Sequence, residues 1–225
     1  MIPTPFLDCR EGIEVSENDL PHWHQSDRLQ FLTWNLGDAL PHKALIRLKR
    51  ERQRWCHLHP QPWNDKEQAY YFDRFTDRVD RWLALGRGES IFRNPVCASK
   101  MAEILMFHEG KKTRMDAFVI MPNHVHCLVQ LIGDTRVSSL LHSWRSYSGL
   151  QLNRLRSTSG KLWSEDFWDR VIRSPAHYWR TRRYIEMNPS KAGLKEGAFR
   201  LWMRPEPLWE TLKKEGFEVR APWGA

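Results

Sequence analysis

Two histidines one residue apart, His124 and His126, sit inside the strand-like run Met121-Pro-Asn-His-Val-His-Cys-Leu-Val-Gln130. Side chains alternate across a strand, so both imidazoles project from one face while Val125 and Cys127 project from the other. Paired imidazoles on one sheet surface suit a metal ion. A second segment, Arg182-Arg-Tyr-Ile-Glu-Met-Asn-Pro189, carries Tyr184 and Asn188 four residues apart, on one face of an expected helix. If that face lies over the histidine strand, two ring nitrogens and the Asn188 amide oxygen can converge on one ion. Three protein ligands leave positions for a phosphate oxygen and water, and the ion then acts as a Lewis acid on a phosphodiester. Mixed nitrogen and oxygen ligands suit Mn²⁺, with Mg²⁺ used when the remaining ligands are oxygen.

Tyr184 stands one helical turn from this ligand set. A phenol ionises near pH ~10, so it attacks phosphorus at neutral pH only with help from nearby positive charge. Arg180, Arg182, Arg183 and Lys191 provide such charge and are also candidate DNA contacts. Tyrosine attack exchanges one phosphate ester for another, needs no nucleotide cofactor and is readily reversed. That logic fits strand cleavage and rejoining rather than hydrolysis. Tyr147 is a competing nucleophile near Arg145, but only Gln151 stands four residues on as a polar partner.

Composition points the same way. Lys and Arg total 35 against 27 Asp and Glu, a formal charge of +8, which favours a polyanionic partner such as nucleic acid. No apolar run approaches the ~18 residues of a membrane span, so no membrane partner is expected. The first residues lack a basic start followed by an apolar stretch, so the expected compartment is the cytoplasm. Cys9, Cys56, Cys97 and Cys127 form no Cys-x-x-Cys pair, which argues against a thiolate zinc site and a disulfide framework. The 12 tryptophans are expected mainly in the core, with some free to stack on bases.

The elements that must position these residues follow from periodicity. Residues 1–27 read as an irregular lead. Arg28 to Leu36 is a first strand, and 43–85 is a charged helical stretch broken at Pro60-Gln-Pro62. Pro95 to Phe107 reads as a helix, 112–121 and 124–132 as a hairpin with the histidines near its turn, and 137–155 as a helix. A short strand at 167–173 precedes a helix that Ser174-Pro175 starts well and that should end at about Asn188, before Pro189. The pattern implies an α+β fold, one sheet with helices packed on one face. Residues 1–194 form one domain with a helical insertion at about 43–107, and 195–225 form a tail over it.

Met121-Pro-Asn-His-Val-His-Cys-Leu-Val129 resembles the His-hydrophobic-His motif of the HUH endonucleases. Tyr184-Ile-Glu-Met-Asn-Pro-Ser-Lys-Ala-Gly-Leu194 resembles the single-tyrosine helix of the REP-associated tyrosine transposases. Trp163-Ser-Glu-Asp-Phe-Trp-Asp-Arg-Val-Ile-Arg173 resembles the tryptophan-led strand before it. The resemblance covers about 113–194, with a weaker match at 28–34. It implies a ferredoxin-like antiparallel sheet that binds single-stranded DNA, often beside a hairpin of a repetitive extragenic palindrome. It implies His124, His126 and Asn188 as metal ligands and Tyr184 as the nucleophile of a 5′-phosphotyrosine intermediate. A monomer with the tyrosine helix in cis and a homodimer with it in trans both remain open. A catalytically silent hairpin-binding protein is the alternative function. A His-x-His hydrolase is disfavoured, since no Asp-His continuation follows the pair.

Overall fold

The computed structural model describes residues 4–8, 10–12, 14–17, 21–60 and 63–219. In chain order its elements are β1 (Glu14–Glu17), β2 (Pro21–His24), β3 (Leu29–Leu36), α1 (His42–Leu58), α2 (Asp65–Tyr71), a π-helical stretch (Phe72–Asp77) and α3 (Arg78–Ala84). A short 3₁₀ turn (Ile91–Arg93) leads to α4 (Pro95–Met106), β4 (Thr113–Met121), β5 (His124–Leu131), α5 (Val137–Arg156), β6 (Trp163–Val171), α6 (Pro175–Lys191), β7 (Arg200–Met203) and α7 (Leu208–Lys214).

Five strands form one sheet in the order β6-β3-β5-β4-β7, and every pairing is antiparallel. Without β7, the spatial order is fourth, first, third, second, with α4 and α5 as the two crossovers. This is the ferredoxin-like arrangement. β3 and β5 are central strands and are buried along their whole length. Helices cover both faces, which is why these strands carry few solvent-facing positions.

The period-two alternation divides the interior. Leu32, Trp34, Leu36, Val125, Cys127 and Val129 join Met101 and Leu105 of α4 and Leu140 and Trp144 of α5 in one core. Leu29, Phe31, Val119 and Leu128 join Tyr178 and Ile185 of α6 and Trp209 and Leu212 of α7 in a second. The crossover helices thus share one face, as the pattern implied, and α6 and α7 add a layer on the other. Trp34 packs on Trp144 and Trp163, so these tryptophans serve the core.

Several boundaries move. The insertion is narrower than 43–107, because α4 is the first crossover helix and packs on α5; the added elements are α1 to α3. The expected tail is integral in part: β7 pairs with β4, and Leu208, Trp209 and Leu212 are buried. Helix α6 runs past Asn188 to Lys191 and takes Pro189 into its last turn, against the expected end at Asn188. The lead contains the β1–β2 hairpin, and buried Phe6 packs on Trp209 with ring centroids 4.9 Å apart. Among the described residues Cys56, Cys97 and Cys127 are free thiols; Cys9 lies outside them. No described helix is long and apolar enough to cross a membrane.

Candidate active site

β4 and β5 join through the two residues Pro122 and Asn123, with Met121 paired to His124. Asn123 is buried, and its amide nitrogen donates to the carbonyls of Leu83 (3.1 Å) and Arg87 (3.2 Å). Those two bonds turn its Oδ1 toward His124 Nδ1, 2.8 Å away. The ring proton therefore sits on Nδ1, and Nε2 keeps a bare lone pair with no partner among the described residues. His126 Nδ1 lies 2.7 Å from the hydroxyl of Thr33, its neighbour across β3. The Nε2 of His126 lies 3.3 Å from Asn188 Nδ2 and 3.6 Å from an Asp80 oxygen. The two imidazole centroids are 4.7 Å apart.

Helix α6 brings Tyr184 to the same place. Its ring centroid lies 5.6 Å from His126, 5.8 Å from Phe31 and 5.5 Å from Phe72 of the π-helical stretch. The Lys191 ammonium stands 5.2 Å over the ring. The Tyr184 hydroxyl is buried with no hydrogen-bond partner among the described residues. The ring forms one wall of a cavity of about 390 Å³ that Arg180, Arg183 and Lys191 also line.

Burial pushes His126 down to about 3, and burial together with His126 holds His124 well below the usual histidine range. Burial also holds the Asp80 carboxyl well above its usual range; Asp77 adds to this and Lys191 opposes it. The Asp80–His126 contact is therefore not an ion pair, since burial favours the neutral form of each. His124, His126 and Asp80 each offer a ligand atom within 4.8 Å of the others. The bare Nε2 of His124, the His126 imidazole and a carboxyl whose oxygens find no donor among the described residues suit a divalent cation. Asn188 is placed beside them, and its flipped amide would present oxygen.

The structure brings together His124, His126, Asn188 and Tyr184, and sets Arg180, Arg183 and Lys191 around the adjoining cavity. It does not bring Arg182. That side chain pairs with Asp116 at 3.2 Å and donates to the Arg204 carbonyl at 2.7 Å, because two residues before Tyr184 is roughly 200° around the helix. Arg182 is thus an anchor of α6 and not a cavity contact. Tyr147 is 55% exposed on α5, whose helix covers the opposite face of the sheet from the histidines. Sequence reasoning passed over Asp80, Asn123 and Arg170. Asn123 had a signal, its place in a two-residue turn directly before His124; Asp80 had none.

Residues 87–187 match the family model described as Transposase IS200 like. The similarity to that family spans 101 of the 225 residues. It contains His124, His126 and Tyr184; Asn188 follows it directly, and Asp80 precedes it, in the insertion. No curated protein matches the chain. Among solved structures, it is similar to one described as a REP-associated tyrosine transposase bound to a REP hairpin. The identity is 15% and the TM-score 0.44, over 80% of this chain and 77% of that one. The matched stretch thus holds the histidine strand and most of the helix that carries Tyr184, while α1 to α3 lie before it and reach into the same site.

Proposed function

We propose that this protein is a transposase that cleaves and rejoins single-stranded DNA through Tyr184. The observation that carries this reading is the meeting at His126: the Tyr184 ring lies 5.6 Å from it, and the Asn188 amide 3.3 Å. In the forward step the Tyr184 oxygen bonds to phosphorus, the bond from phosphorus to the 3′ oxygen breaks, and the 3′-hydroxyl leaves. The phenol gives up its proton as the new bond forms, and the departing 3′ oxygen takes one up, so no net proton is gained or lost. The product is a 5′-phosphotyrosine, and attack by a 3′-hydroxyl reverses it. His124, His126, Asn188 and Asp80 would hold a divalent ion, Mn²⁺ or Mg²⁺, which supplies Lewis-acid polarisation of the phosphate. Thr33 and Asn123 orient the imidazoles, and Lys191 favours negative charge on the phenol. The natural substrate in this reading is a hairpin-bearing single strand, such as a repetitive extragenic palindrome, met in the cytoplasm by a monomer or homodimer.

Burial of the Tyr184 hydroxyl beside Phe72 favours a second reading, a hairpin-binding protein without chemistry. One experiment separates the two. Labelled single-stranded DNA is incubated with the protein and Mn²⁺ or Mg²⁺, then run on a denaturing gel. A covalent adduct that vanishes in Tyr184→Phe supports the transposase. Binding without any adduct supports the second reading, and an adduct unchanged in Tyr184→Phe removes Tyr184 as the nucleophile.

A further inference from the structure

Arg170 projects from β6 directly across from Phe31, on the face that carries the histidines. Its guanidinium stacks on the rings of Tyr71 (5.6 Å) and Phe72 (5.2 Å) and donates to the Thr76 hydroxyl at 3.4 Å. No carboxylate is among these contacts, and Arg52, Arg173 and Arg180 are close enough to repel it. Burial pushes it down to about 10, which leaves it charged at neutral pH. Arg170 shares the cavity beside Tyr184 with Arg180, Arg183 and Lys191, and among the described residues no acidic side chain lines that cavity. A half-buried guanidinium with no carboxylate among these contacts is unfavourable, and an anion would relieve it. The remaining walls include Phe31, Phe72 and Met187, which are apolar.

We propose that this cavity is a nucleotide subsite on the path of the single strand. It takes one nucleotide adjoining the bond that Tyr184 attacks, with Arg170 and Arg180 on the phosphate and the base against Phe72 and Met187. This rests on the transposase reading and extends it to residues outside the metal and tyrosine set. The volume of about 390 Å³ falls at the lower end of ligand-pocket sizes and admits a single nucleotide rather than a duplex. Arg170 can form paired hydrogen bonds to phosphate oxygens, and an aromatic face accepts any base. The insertion builds one wall. Phe72, Thr76 and Asp80 recur every four residues, and they meet Tyr184, Arg170 and His126 respectively.

The test is binding in EDTA, where no cleavage occurs. A fluorescein-labelled single-stranded 12-mer of randomised sequence is titrated by anisotropy across a salt series. Arg170→Gln and Arg180→Gln should each weaken binding about tenfold, the scale of one hydrogen bond to a charged group. Each should also reduce the slope of log K against log salt by about 0.7, the value for one lost phosphate contact on a single strand. Arg170→Lys keeps the charge and should keep the slope while losing affinity, which a packing role would not produce. Arg180 is exposed, so its variant carries the test if Arg170→Gln fails to fold by circular dichroism. Wild-type slopes in the folded Gln variants, with the Tyr184-dependent adduct intact, overturn the subsite and leave the transposase standing. Failure of the wild-type chain to bind the 12-mer overturns the subsite, and absence of the Tyr184-dependent adduct as well overturns both.

Discussion

Asp116 and Asp80 are buried carboxylates at the two ends of α6, in opposite circumstances. Asp116 sits where the register of β4 shifts between Met115 and Ala117. It accepts from the Tyr178 hydroxyl (2.7 Å), the Leu208 backbone N–H (2.7 Å) and Arg182 Nε (3.2 Å). Asp80 has no donor to either oxygen among the described residues, and it faces His126 and His124, whose Nε2 also lacks a partner. Burial raises both acids. At Asp116, Leu208, Tyr178, Arg182 and Arg204 all pull the other way; at Asp80 only Lys191 does. Buried polar groups nearly always find partners within the chain, and a cluster that does not is placed for something outside it. Asp116 clamps α6 and α7 to β4. The Asp80 carboxyl, His124 Nε2 and the Tyr184 hydroxyl are buried groups left without partners among the described residues, and the proposed function uses all three.

The largest effect should come from Tyr184→Phe. It removes a hydroxyl that makes no hydrogen bond among the described residues, so adduct on the denaturing gel should fall to background while urea unfolding shifts by less than about 1 kcal/mol. A large loss of stability in this variant would mean that the hydroxyl is structural and the contrast with Asp116 is false. Next is Asp116→Ala, which strips donors from a buried cluster and should destabilise by about 3–5 kcal/mol. Asp80→Asn should leave unfolding of the metal-free protein unchanged or raise its midpoint, since it relieves a buried, unsatisfied acid. Equal destabilisation by the two would erase the distinction.

A smaller effect sharpens the same comparison. Asp80→Asn should weaken Mn²⁺ binding by about 10–100-fold, the range found when a metal site loses a supporting group. Free Mn²⁺ can be followed by its electron paramagnetic resonance signal, without any DNA. Mn²⁺ affinity equal to wild type would place Asp80 outside the donor set, leaving His124, His126 and Asn188.

Much of this site was legible because strand and helix periods act locally. Alternation put His124 and His126 on one face, and the four-residue spacing put Asn188 with Tyr184. The same arithmetic excludes Arg182, which lies on the turn of helix shared with Tyr178 and reaches Asp116 with it. Asp80 was hidden for a different reason. It reaches His126 only because α3 crosses the β4–β5 turn, held there by the Leu83 and Arg87 carbonyls on Asn123, and no local pattern encodes that crossing. The second helical layer was missed because α7 is short, although Leu208, Trp209 and Leu212 have helical spacing. Arg170 gave no signal in β6, since its meaning lies in the aromatic rings the insertion brings over it.

His177 offers the finest test of whether the cavity is built for negative charge. It is buried, its Nδ1 accepts from the Arg173 backbone N–H at 3.3 Å, and it lines the cavity. Burial first, and then Arg170, Arg173 and Arg180, hold it well below the usual histidine range. With the folded value below the unfolded one, the unfolded chain takes up the proton first as pH falls. Stability is then unaffected above pH ~6.5 and is lost progressively below it, by about 1.4 kcal/mol at one unit lower. His124 and His126 act with the same sign, so the informative quantity is the difference between wild type and His177→Gln. That difference, measured by urea unfolding, should shift in favour of the variant by about 1 kcal/mol between pH 7 and 5.5. A saturating single-stranded 12-mer should shrink the shift, because a phosphate beside His177 stabilises the imidazolium that the three arginines oppose. A difference that stays constant with pH would mean that His177 is not held neutral, and that the surplus of positive charge around the cavity is too weak to select a phosphate.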